Sequence, residues 1–270
     1  MSLIQIVVLA IIHGVSLVLP VGAASHMHIL QALTAWPNPS PQLLLALNFG
    51  GFVATLAYFG GDAWDMGVGV VRAAKGKRNP EARLAVQFFV ASVLALGIGF
   101  AFDRYVLTEA WNSLKIVAWC TLGFGLLLFA LDQTSMTVKR VEHAGMGDTI
   151  FVAIGQVVSL VPGVSRTGIA MTFARFLGYE RIEAAKFSYL LSLPVLFALI
   201  GRGVYDLIDV HALTFGRLEI VASVIAFFTT LPMLAIMMGF LQRRTFTVIV
   251  IYRLLVGGLL AMLAYDVIAF

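Results

Sequence analysis

The amino-acid sequence predicts an all-α integral membrane protein, with six transmembrane helices and two re-entrant helical hairpins in an inverted-topology repeat. Three observations predict it. Of 270 residues, 60% are hydrophobic and only 12% charged, and the mean hydropathy is +0.96, far from the composition of a soluble domain. The apolar runs reach the roughly 20 residues that a membrane helix needs, and their Leu-, Ala- and Gly-rich pattern lacks the strict alternation of a membrane barrel. Two further apolar runs are interrupted by proline and glycine, and such breaks are tolerated in a bilayer only where they are buried in protein or line a cavity.

Charge placement orients the chain. The formal net charge of +4 is spread over short loops, with no basic face and no aromatic-interleaved patch, so no nucleic-acid partner is expected. Cys120 is the only cysteine, which leaves no intramolecular disulfide and no cysteine-based metal cluster. The N-terminus has no Lys or Arg before its apolar run, so a cleaved signal peptide is not expected.

The first 61 residues contain no Lys, Arg, Asp or Glu. Their first apolar run, Leu3 to Leu19, stops at Pro20, and a second piece from about Met27 to Leu33 stops before Trp36, Pro37, Pro39 and Pro41. A hairpin entering and leaving on one side is the economical reading. Spans are then expected at Gln42 to Gly60, Leu84 to Phe102 and Ser113 to Leu131. Arg72, Lys75, Lys77, Arg78 and Arg83 form a basic loop that the positive-inside rule puts in the cytoplasm, which leaves Asp103 to Asn112 outside and Lys139 with Arg140 inside.

The next apolar run, Ile150 to Leu177, is broken by Val-Pro-Gly-Val-Ser-Arg-Thr-Gly at Val161 to Gly168. Its far end carries Arg175, Arg181 and Lys186, which stay inside only if the run is a second hairpin. Spans Phe187 to Tyr205, Leu218 to Phe240 and Thr245 to Val267 complete the chain. Twelve of the eighteen Lys and Arg then fall in cytoplasmic segments, and both termini lie on the outer side. Two units emerge, residues 1–135 and 136–270, each a hairpin followed by three spans; because three is odd, the second is inverted relative to the first.

The break at Val161 to Gly168 is the strongest candidate site. Pro162 and Gly163 end one arm, Ser165 is a good N-cap for the next, and the amides near Arg166, Thr167 and Gly168 then face the break. A helix N-terminus beside an arginine binds phosphate-like anions; the plainer alternative is a kink with small residues for close packing and a snorkelling arginine. In the first hairpin Ser25 is a potential N-cap, and His13, His26 and His28 are the titratable side chains. Their spacing does not suit a metal, and no metal or other cofactor is expected. His26 is either an anion donor or a satisfied structural histidine. Asn48 and Gln156, beside Gly50 and Gly155, either face the cavity or hold helices together.

These residues resemble the undecaprenyl-diphosphate phosphatase family linked to bacitracin resistance, over nearly the whole length. The segment from Gln156 through Pro-Gly-Val-Ser-Arg-Thr-Gly to Gly178, and on to Ala184, Ala185, Phe187, Ser188, Leu190, Leu191 and Pro194, is similar to the family's second signature and its following helix, and Ile251-Tyr252-Arg253 is also similar. The first signature departs. The family pattern is a glutamate pair four apart followed by Pro-Val-Ser-Ser-Thr-Gly-His; here the matching positions are His13 and Leu17, then Pro20, Val21, Gly22, Ala23, Ala24, Ser25 and His26.

The resemblance implies a bacterial cytoplasmic-membrane protein whose ligand is a polyprenyl phosphate or diphosphate, and it allows a homodimer. With the carboxylates and the serine gone, the first expectation is a protein that grips the lipid head group through Ser165, Arg166, Thr167, Gly163, Gly168, Ser25, His26, Asn48 and Gln156 and translocates the lipid. The alternative is an undecaprenyl-diphosphate phosphatase that uses His13 or His26. A transporter of small organic anions unrelated to lipid is a third reading.

Overall fold

The computed structural model describes residues 1–34, 36–76, 79–106, 111, 113–135, 138–211 and 214–267. Lys77 and Arg78 of the expected basic loop and Asn112 of the expected outer loop lie outside them. The described residues are helical throughout their regular structure, apart from one isolated bridge between Lys139 and Tyr179.

Eleven α-helices follow in order: α1 (Leu3–Val18), α2 (Ala23–Thr34), α3 (Pro41–Tyr58), α4 (Gly60–Ala74), α5 (Pro80–Tyr105), α6 (Leu114–Thr134), α7 (Met146–Val158), α8 (Arg166–Phe176), α9 (Arg181–Asp209), α10 (Arg217–Leu241) and α11 (Thr247–Ala264). Six of them, α3, α5, α6, α9, α10 and α11, are long and apolar enough to cross a membrane. They coincide with the six expected spans. Their ends reach further where capping allows: Asn79 accepts from the amide of Ala82 at 2.7 Å, and with Pro80 in the first turn it starts α5 four residues before the apolar run begins.

Two local expectations are corrected. The stretch Gly60 to Ala74, read as the end of a span and a loop, is the helix α4, whose mixed sequence with Asp62, Asp65 and Arg72 hid it from hydropathy. Asp62 is tied to Lys186 of α9. The second piece of the first hairpin starts at Ala23 rather than near Met27, because Gly22 takes φ +87° and reverses the chain at once. Ser25 is therefore inside the first turn of α2 and does not cap it.

The two broken runs form helix–turn–helix pairs, α1–α2 and α7–α8, whose turns touch: Gly22 and Gly163 both have positive φ, and a Cβ on Gly22 would lie 3.5 Å from the Gly163 carbonyl oxygen. Each first arm packs on the second span of the other half of the chain, α1 on α10 and α7 on α5, while α6 pairs with α11 and α3 with α9.

A chain that turns inside a bundle leaves unpaired carbonyls, and the second half of the protein supplies donors for them. At the end of α1, the Val18 carbonyl accepts from Tyr189 Oη at 2.9 Å, Leu19 from Thr167 Oγ1 at 3.5 Å, and Pro20 from Arg253 Nη1 at 2.8 Å. Arg253, 1% exposed, also donates from Nη2 to Gly163 at 3.0 Å and from Nε to the Thr121 carbonyl at 2.8 Å. One guanidinium thus joins both turns to α6. At the far end of α8, the fully buried Asp132 is paired with Arg175 and Arg181, each Nε 2.9 Å from Oδ1. Beside it Tyr179 donates to Asp148 at 2.8 Å, and burial, then that bond, push its phenol well above the usual range.

Two substitutions test these joints. Arg253→Ala strands three buried carbonyls at about 1–3 kcal/mol each, so thermal unfolding in detergent should show a large loss of stability that Arg253→Lys restores only in part; an unchanged melting temperature would contradict the clamp. Gly163→Ala places a Cβ in a left-handed backbone and 2.5 Å from the Val117 carbonyl oxygen, and the same measurement should show a loss of about 2 kcal/mol or more.

Candidate functional site

The two turns, with α5 and α9, enclose a cavity of about 670 Å³. Its walls differ in character. One side is apolar, with Leu96, Gly99 and Phe100 of α5 facing Val195, Ala198 and Leu199 of α9, residues that share one face of each helix. The other side is polar: His13 and Ser16 from α1, Asn48 from α3, Gln156 from α7, and Ser165, Arg166 and Thr167 from the start of α8.

Ser165 builds this end. In extended conformation, it accepts from the amide of Gly168 at 3.2 Å and starts α8 as its N-cap. The cap leaves the amides of Arg166 and Thr167 at the positive end of the helix for a ligand. Gly163 and Gly168 allow the backbones to close behind: a Cβ on Gly168 would lie 3.1 Å from both Arg253 Nη1 and Pro20 Cβ.

The polar groups aimed at the cavity are short of partners. Arg166 Nε is buried with none, and no counter-charge neutralises its guanidinium among the described residues. Both amide atoms of Gln156, 5% exposed, are buried and unpartnered. His13 lines the same end, and its Nε2 is buried without a partner. A buried polar group without a partner costs about 1–3 kcal/mol. An oxyanion is the kind of ligand that removes the penalty, since it accepts from arginine, amide and helix N-terminus together.

Ser25 and His26 stand elsewhere. Ser25, 0% exposed, is bonded to Thr121 Oγ1 at 2.7 Å and does not line the cavity. His26 sits behind the first turn with both ring nitrogens engaged. Nδ1 lies 3.1 Å from the Gly22 carbonyl, which only accepts, so the proton is on Nδ1 and Nε2 accepts from Tyr252 Oη at 2.7 Å. This is the satisfied structural histidine of the two readings. His28 does not line the cavity either. Among the described residues no carboxylate lines it, and no group of three or more His, Cys, Asp and Glu is placed to hold a metal ion.

The sequence gives no sign of Ser16 and leaves open whether Arg253 and Arg202 belong to the site. Arg253 had a usable signal, since an arginine in an apolar span marks function or structure by its cost. Ser16 had none, being one small residue in an apolar arm. Arg202 lines the cavity from the far end of α9, paired with Asp206 at 3.6 Å and lying 5.4 Å from the Phe100 ring centre.

The family model described as bacitracin resistance protein BacA matches residues 6–259. The chain is 41% identical to a Rhodospirillum rubrum protein named undecaprenyl-diphosphatase 1, over 98% of this chain and 96% of that one. It is 35% and 34% identical to proteins named undecaprenyl-diphosphatase from Ruegeria pomeroyi and Roseobacter denitrificans, in each case over 98% of this chain and the whole of the relative. The motif at Gln156 to Gly168, the polar end of the cavity that it builds and the end-to-end match together make the chain a member of the bacitracin resistance protein BacA family.

Proposed function

We propose that the protein binds a polyprenyl diphosphate, of which undecaprenyl diphosphate is the expected member, and hydrolyses it to the monophosphate and inorganic phosphate. The observation that carries this is the unneutralised guanidinium of Arg166 beside the unpartnered amide of Gln156, both facing one cavity. The head group lies against Arg166, Gln156 and the amides that open α8, and the apolar wall between α5 and α9 receives the first isoprene units. Ser165, Gly163 and Gly168 shape the cradle, and Thr167, which also anchors Leu19, ties it to the first hairpin. Asn48 belongs to the same polar end of the cavity.

The phosphatase names of the relatives favour cleavage over the translocation expected from the missing glutamates. The setting is the bacterial cytoplasmic membrane, with both termini outside. Residues 1–135 and 136–270 act as two inverted units whose hairpins are re-entrant and meet at mid-membrane. The reciprocal packing of α1 on α10 and α7 on α5 supports that arrangement.

Purified protein in detergent should release inorganic phosphate from undecaprenyl diphosphate. Arg166→Ala should lower that release by about a hundredfold, in line with the loss of a charge-stabilising donor, and Arg166→Lys should recover only part of it. Protein that binds the lipid, releases no phosphate and speeds its movement between the leaflets of a vesicle would overturn hydrolysis in favour of translocation.

A further inference from the structure

Hydrolysis of a diphosphate needs an atom that attacks phosphorus, and the cavity offers few. Every hydroxyl that lines it is already engaged. Ser16 Oγ lies 3.3 Å from His26 Nδ1, Ser159 donates to the Gln156 carbonyl at 2.6 Å, Ser165 accepts from Gly168, and Thr167 donates to Leu19. A hydroxyl nucleophile also needs a base to take its proton, and among the described residues no carboxylate lines the cavity. His26 has no free nitrogen.

His13 differs on each count. It lines the cavity, and its Nε2 is buried and has no partner. An imidazole with its proton on Nδ1 presents a lone pair at Nε2 and needs no base before it attacks. Arg166 lines the same polar end, where a transferred phosphoryl group would need its charge met. Leu17, one turn further along the same face of α1, also lines the cavity and offers no competing group.

Resting on the phosphatase reading above, we infer that His13 is the catalytic nucleophile and that the reaction passes through a phosphohistidine on Nε2. In the first step the Nε2 lone pair forms a bond to the terminal phosphorus, and the bridging P–O bond breaks. Its electron pair leaves with undecaprenyl phosphate. The positive charge that develops on the ring is balanced by the negative charge of the phosphoryl group that it carries. In the second step water attacks the same phosphorus, the N–P electron pair returns to Nε2, and inorganic phosphate and one proton leave. No oxidant, metal or further co-reactant enters the balance.

The test uses the full-length protein in detergent with undecaprenyl diphosphate carrying 32P in its terminal phosphate, denatured in alkaline SDS at intervals. Label should appear on the protein, survive alkali and be lost in mild acid, as a phosphoramidate is. It should be absent from His13→Ala and from His13→Gln, a variant that keeps a polar side chain of similar size. Free imidazole should restore part of the phosphate release to His13→Ala. Where label does not build up, the stereochemistry at a chirally labelled terminal phosphorus decides, since two displacements give net retention.

Phosphate release with no labelled protein and with inversion at phosphorus would overturn the inference while leaving the phosphatase reading intact. Absence of any release from the unmodified protein would overturn both.

Discussion

A chain that turns inside a helical bundle leaves carbonyls that neither water nor the next helical turn satisfies, and two such turns meet in this protein. Arg253 answers both at once, donating to Pro20 in one turn, Gly163 in the other and Thr121 on α6. No carboxylate shares the guanidinium with them, so its burial is compensated by charge-assisted hydrogen bonds to neutral oxygens rather than by an ion pair. The charge is therefore not cancelled. Its Nη1 lies directly behind the first turn of α8, as the space around Gly168 shows, so the cavity sees Arg166, the positive end of α8 and Arg253 behind them. The clamp that closes the fold also sets the sign of the site.

The packing of the two halves is reciprocal but unequal, and the inequality locates the cavity. Where α3 meets α10, Gly50 admits the backbone at Ser223, and Gly14 and Gly51 let α1, α3 and α10 approach at side-chain-free positions. The corresponding pair in the other half, α9 and α5, has no such glycine seam. Gly99 faces Leu160, and Gly201 meets nothing within 4 Å. One cleft is shut by backbone contact while the other stays open and is lined by Leu96, Phe100, Val195 and Leu199. The polar residues of the second turn face the open cleft, whereas Ser25 and His26 of the first are held by Thr121 and Tyr252.

How much of this was legible follows from what each signal measures. Hydropathy found all six long helices, because length and apolar composition are local properties. It missed α4, where Asp62, Asp65 and Arg72 interrupt the apolar pattern although the segment is held as a helix by its contacts with α5. The break at Val161 to Gly168 was readable with its cap, because Pro162, Gly163 and Ser165 act through their own backbone. The fate of Ser25 and His26 was not, since it is decided by Thr121 and Tyr252, far away in sequence. Arg253 and Arg202 lay open for the same reason: cost marks an intramembrane arginine, but only the fold says which oxygens it meets.

The substitutions in the first hairpin change the electrostatic problem that the site must solve. At an effective dielectric constant near 20, a carboxylate about 4 Å from a phosphate charge is repelled by roughly 4 kcal/mol, so a site containing two must bring in compensating cations before a diphosphate will stay. With His13 and Leu17 at those positions, a neutral ring and an apolar side chain add no repulsion. The arginine and helix terminus that remain then act on the ligand undiminished. On the phosphatase reading, the base that would activate a hydroxyl or a water is then missing, and the attacking atom has to be one that need not lose a proton first. The imidazole of His13 meets that condition, with an Nε2 that is buried and unengaged in a residue lining the polar end of the cavity.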